Sequence, residues 1–249
     1  MPSRPSLRSV HSVMTVDPLA LMTDVEEATQ RVLRAAASLD DDAVTAPSGL
    51  SGWTRGHVLT HLARQADAIT NLLTWARTGV ETPAYASPAA RVEGIEAGAE
   101  RPLAEQLTDL RTSHERMADA AAAMPADCWT FHIPSRNQLA AALPWVRLRE
   151  VEVHHVDLAV GYTPADWSDA FAQRLLREIV GGAAPAAPAM ALRPFGLDHE
   201  LILGDPGAAP TPVIGGPTRS IAAWLSGRGD GADLTVSPDG ELPIPATWM

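Results

Sequence analysis

Two pairs of residues in this chain have a spacing that could hold a metal ion. His57 and His61 stand four apart in one apolar segment, and Glu150 and His154 stand four apart in another, about ninety residues later. Four residues is just over one helical turn, so Glu150 and His154 share a helix face. His61 offers a third ligand from a second helix. Two histidines and a carboxylate suit a catalytic divalent ion, because three protein ligands leave a position open for chemistry. His57, one turn before His61, could also ligate, although a site of this kind needs only one of the two. Asp157, three residues after His154, is either a helix-terminal charge or a group that orients a ligating imidazole through its second nitrogen. Glu152 and His155 point elsewhere on the same helix, Glu152 by about 200° from Glu150.

Four segments with helical periodicity carry these residues. The first spans about Asp17 to Ser38, with Asp17 as a cap and Pro18 at the first helical position; Thr23 and Glu26 offer an alternative start. The second spans Arg55 to Arg77, between a Thr54 cap and a Gly79 stop. The third spans Pro102 to Met124 and the fourth Leu143 to Val160. Amphipathic helices of this length bury their stripes against one another, which predicts a four-helix bundle over residues 17–163. The connection from Thr78 to Arg101 is read as a long loop, either functional or a plain crossover. After Pro164 the composition changes. A helix over about Ser168 to Val180, the linker-like stretch GGAAPAAPA, strands at His199 to Leu203 and Asp233 to Val236, and a short helix capped by Thr218 or Ser220 and ending at Leu225 predict a small α/β domain over residues 164–249. The fold class is therefore α+β. Residues 1–16 are expected to be a flexible lead-in, and PIPATWM a surface tail.

Bulk composition narrows the function. The 249 residues carry a formal charge of -11, and every one of the 19 basic residues is arginine, which excludes a lysine Schiff base. No basic run invites nucleic acid, and no apolar run approaches the ~20 residues of a membrane span. Cys128 is the single cysteine, so no internal disulfide forms. A reducing cytoplasm is the expected compartment, and Cys128 beside Trp129 reads as a small buried hydrophobe rather than a nucleophile.

GWTRGHVLTHLA (Gly52 to Ala63) resembles the helix-two signature of DinB-like metal-binding bundles. With NLLTWARTGVETPAYASPAAR (Asn71 to Arg91), LREVEVHHVDL (Leu148 to Leu158) and SGRGDG (Ser226 to Gly231), the chain is similar to the mycothiol-dependent maleylpyruvate isomerases. The resemblance runs from about Asp17 and is weaker between Ala183 and Pro217. It implies a DinB-like bundle that holds zinc or a similar ion through His61, Glu150 and His154, with a small C-terminal domain helping to form the cleft. It also implies a functional arginine at Arg228. Arginine grips carboxylates bidentately, and the flanking glycines let backbone approach a ligand; the alternative is an ordinary helix-terminal arginine before a glycine stop.

The implied activity is cis–trans isomerisation of maleylpyruvate or a similar cis-enedioate, with mycothiol as the thiol cofactor. Thiolate addition lowers the alkene to a single bond, rotation follows, and elimination restores the trans alkene. The expected partners are thus mycothiol and a small dicarboxylate or other electrophile. A mycothiol S-transferase, in which the thiol stays attached, and a non-catalytic metal-binding bundle are the alternatives.

Overall fold

The computed structural model describes residues 17–183, 187–205, 207, 211–246 and 248. The expected lead-in, three residues of the proposed linker, and Thr247 and Met249 of the tail lie outside them.

The first helix, α1 (Pro18–Ala36), starts where Asp17 accepts a hydrogen bond from the Leu19 amide. A short α2 (Asp41–Thr45) leads into α3 (Arg55–Thr78), the longest helix, whose cap is Thr54 and whose stop is Gly79 in the left-handed conformation. Then come α4 (Pro88–Ala99), α5 (Leu103–Ala122) and α6 (Leu143–Asp157). Helices α1, α3, α5 and α6 pack together around Val25, Val32, Leu59, Leu62, Leu72, Leu110 and Met117, all at or near zero exposure. This is the expected bundle.

Two expectations within the bundle are corrected. The connection from Thr78 to Arg101 is not a loop throughout: Ser87 caps α4, with Pro88 in its first turn. Two glycines seat α4 on α3. A Cβ on Gly56 would lie 2.0 Å from the Ala99 carbonyl oxygen, and one on Gly98 would lie 2.5 Å from the Thr60 methyl. The last helix of the bundle ends at Asp157 rather than Val160, because Ala159 and Gly161 take positive φ. Arg55 satisfies the freed carbonyls: its Nε donates to Leu158 O at 2.8 Å.

Between α5 and α6 a small hairpin pairs the two-residue strands β1 (His132–Ile133) and β2 (Gln138–Leu139). The C-terminal part begins with α7 (Asp169–Gly182). It continues through β3 (Met190–Phe195), β4 (Leu201–Leu203), β5 (Val213–Pro217), α8 (Thr218–Leu225) and β6 (Thr235–Ser237). The sheet order is β4-β3-β5-β6, with β3 and β5 parallel and the outer pairs antiparallel. The two strands read from sequence are its edges, and the inner pair, β3 and β5, is additional. Neither Thr218 nor Ser220 caps α8 as expected: the Thr218 hydroxyl donates to Phe195 O and the Ser220 hydroxyl to Asp233 Oδ2. Helices α7 and α8 pack on each other and on the sheet.

The apolar core is continuous from bundle to sheet, through Trp145, Trp167 and Phe171. The tail is not wholly surface: Trp248 packs against this core, with the Arg149 guanidinium 5.8 Å from its ring. Among the described residues no helix is long and apolar enough to cross a membrane.

Candidate metal centre

His61 reaches the centre from the second turn of α3, and Glu150 and His154 from successive turns of α6. Their ligand-capable atoms lie within 4.8 Å of one another. Glu150 Oε2 is 3.1 Å from His61 Nε2 and 3.5 Å from His154 Nε2. An ion with bonds of about 2.1 Å in tetrahedral geometry places its ligands roughly 3.4 Å apart, so the triad is spaced for one cation. The donor set, two imidazole nitrogens and a carboxylate oxygen, suits zinc and its neighbours. The residues therefore fit the implied ion.

The surroundings prepare those atoms. His61 is 3% exposed and lies under Trp53, with ring centroids 5.5 Å apart. Burial pushes its pKa down to about 4 despite the Glu150 contact, which leaves a neutral ring with a lone pair to offer. Burial alone would raise the Glu150 carboxyl, but hydrogen bonds and charge from His154 and His61 hold it well below the usual carboxylate range. Burial likewise opposes a charged His154, and the hydrogen bonds to Asp157 and Glu150 overcome it, so its pKa is raised. The other oxygen of Glu150 accepts from Arg149 at 3.2 Å. Glu150 keeps 12% of its side-chain surface exposed, so the centre is shielded without being sealed.

Asp157 takes the orienting alternative. It is 3% exposed, and its Oδ2 accepts from His154 Nδ1 at 2.8 Å. That bond turns Nε2 toward Glu150 and fixes the tautomer a ligand needs. Asp157 is itself gripped by Arg228, whose Nε and Nη2 donate to its two oxygens at 3.1 and 2.9 Å. The remaining nitrogen, Nη1, donates to Ser226 O at 2.6 Å. Gly227, at φ 74°, closes α8 and turns Arg228 back across the C-terminal part toward the bundle. Arg228 is thus brought to the centre at one remove, as the second link of a chain that ends on His154.

The other residues weighed from sequence fall outside the triad. His57 caps α3: its Nδ1 accepts from the Thr54 amide, and its Nε2 lies 3.3 Å from Glu96 on α4. Glu152 binds Arg31 and the Tyr162 hydroxyl, and His155 stacks on Tyr162 at 3.9 Å. Cys128 is half-buried beside the core.

Besides Arg149, two arginines near the centre were not anticipated. Arg147 is fully buried, with Nη1 donating to Leu62 O and Gln65 Oε1, and burial pushes its pKa down to about 10. The signal for it was present: positions 147, 150, 154 and 157 recur every three or four residues and share one face. Arg91, on α4, places Nη2 3.4 Å from His61 Nδ1.

Comparison with known proteins places the chain in a family. Residues 25–159 match the sequence family described as the mycothiol maleylpyruvate isomerase N-terminal domain. No curated protein matches the sequence significantly. Among solved structures, the chain is similar to the crystal structure of a mycothiol-dependent maleylpyruvate isomerase, at 29% identity and a TM-score of 0.86. The match covers 94% of this chain and 98% of that one. A second structure of that isomerase, carrying a histidine-to-alanine substitution, matches over the same shares at 29% identity with a TM-score of 0.84.

Proposed function

The chain belongs to the mycothiol maleylpyruvate isomerase family, and from that premise we propose that it isomerises maleylpyruvate or a similar cis-enedioate at a divalent ion held by His61, Glu150 and His154. The observation that carries the reading is the convergence of those three side chains, from two helices, at the spacing one ion requires.

Bound zinc, or a similar ion, would supply the positive charge that favours a thiolate over a thiol at neutral pH. Mycothiol would supply the sulfur whose reversible addition lowers the order of the alkene bond. The chain's own residues supply placement and protection. His61, neutral under Trp53, and His154, held by Asp157, present their Nε2 atoms to one point without having to reorganise. Glu150 contributes the negative charge, and the bond from Arg149 holds its second oxygen aside. Arg228 acts through Asp157, because the fork that could clasp a substrate carboxylate already clasps this one. A direct clamp would require substrate to displace Asp157.

The test is turnover of maleylpyruvate with mycothiol, with products read by mass and by proton coupling across the alkene. Isomerisation leaves the mass unchanged and converts a cis to a trans coupling. A stable thiol adduct would instead establish an S-transferase, and no product under metal-loaded conditions would refute catalysis of this substrate.

A further inference from the structure

A groove of about 520 Å³ lies beside the metal centre, lined in part by Pro83, Tyr85, Ser87, Arg91, Ser135 and Arg136. Its size falls within the range of small-ligand sites. Its charge is the informative feature. Arg31, Arg64, Arg101, Arg116, Arg149 and Arg228 each bind a carboxylate. Arg91 and Arg136 have no carboxylate within ion-pair distance among the described residues. In a chain of net charge -11, two unneutralised guanidiniums from separate segments line one concavity.

Tyr85 lines the same groove. The Arg91 guanidinium is 5.9 Å from its ring, and Tyr85 is within electrostatic reach of Arg91, Glu150 and Arg136. Burial raises its pKa further above neutrality, so its hydroxyl remains a hydrogen-bond donor. Arg91 also ties the groove to the centre, since its Nη2 lies 3.4 Å from His61 Nδ1. Arg228, with Nε and Nη2 spent on Asp157, leaves the recognition of a second carboxylate to other cations.

We propose that Arg91, Arg136 and the Tyr85 hydroxyl form the anion subsite of this metal centre, and that it takes one carboxylate of a short dicarboxylate substrate. The proposal rests on the isomerase reading for the identity of that substrate, but the subsite can be tested without turnover. Guanidinium pairs and hydroxyl donors bind carboxylates through short charge-assisted hydrogen bonds. A dicarboxylate anchored there is held one side chain away from the metal ligands, with its remaining length free to reach the centre. This makes the subsite a determinant of affinity and of substrate length.

The experiment compares zinc-loaded wild type with Arg136→Gln and Arg91→Gln. Calorimetry measures glutarate binding, KM and kcat are measured for maleylpyruvate at saturating mycothiol, and metal content is read in each protein. In Arg136→Gln, KM and the glutarate Kd should rise together by about tenfold, with kcat within about twofold of wild type and metal content unchanged. In Arg91→Gln the rise should be at least as large. If neither variant changes KM or the glutarate Kd, the subsite is refuted and the isomerase reading stands. If glutarate binding depends on both arginines but maleylpyruvate is not turned over, the subsite stands and the isomerase reading falls. Should Arg91→Gln lose its metal through the contact with His61, Arg136→Gln decides, since no hydrogen bond or ion pair joins Arg136 to a metal ligand.

Discussion

Replacing Asp157 with alanine removes the chain of contacts that prepares His154. Alanine takes away both acceptor oxygens and adds no donor in their place. Asp157 Oδ2 accepts from both His154 Nδ1 and Arg228 Nη2, and Oδ1 accepts from Arg228 Nε. Alanine removes all three bonds. Loss of a partner that orients a ligating imidazole costs about 10–100-fold in metal affinity, or roughly 1.4–2.7 kcal/mol. Arg228, whose side chain is 9% exposed, loses its charge partner in the same change. Removing one member of a buried pair costs about 3 kcal/mol or more, which lowers the melting temperature of a domain this size by roughly 5–10 °C. The assay is zinc competition against a chromophoric chelator, followed by thermal unfolding of the metal-loaded protein. Arg228→Gln is the control: Asp157 still accepts from His154, so zinc affinity should be largely kept while stability and turnover fall. A zinc Kd for Asp157→Ala within about twofold of wild type would refute the orienting role.

Three further outcomes are expected. His154 is protonated more readily than an ordinary histidine in the metal-free centre, so zinc binding near pH 6 should release about one proton per ion, measured by calorimetry in buffers of different ionisation enthalpy. His155, between Tyr162 and the charges of Arg31 and Asp166, is pushed down to about 4 by burial, whereas in the unfolded chain it titrates near 6.5. The unfolded state therefore takes up the proton first. Stability fully present above about pH 6.5 is lost as pH falls toward 4, by roughly 3 kcal/mol; His155→Phe, which keeps the stack and cannot protonate, should remove that part of the acid loss in urea unfolding of the chelated protein. Gly56→Ala should force α4 off α3, because its Cβ would lie 2.0 Å from the Ala99 carbonyl oxygen. A stability loss of about 1–3 kcal/mol should accompany a raised KM as Arg91 moves.

The bundle was legible because its long helices carry clear stripes and end signals: Asp17 with Pro18, Thr54, and Gly79 are where sequence placed them. Helix α4 was not, because PAARVEGIEAGA is nearly uniform in small and polar residues and buries only Ile95, Gly98 and Ala99. It holds its place through the glycine contacts with α3, which no local pattern reveals. The inner strands were hidden for a related reason: Pro194, Gly215 and Gly216 interrupt the alternation that marks a strand. At the centre, the four-residue spacings found the triad, since helical geometry alone carries it. The two roles of Asp157 could not be separated locally, because the partner that holds it in place, Arg228, is 71 residues away. Arg91 escaped notice because its helix did.

The proposed chemistry turns on one ion per chain at His61, Glu150 and His154. The most direct test is the rate of mycothiol-dependent isomerisation of maleylpyruvate as zinc is titrated into chelated protein. Activity should rise from near zero and saturate at one equivalent in wild type, and remain near zero in Glu150→Ala at any zinc level. Full activity in rigorously metal-free wild-type protein would contradict it.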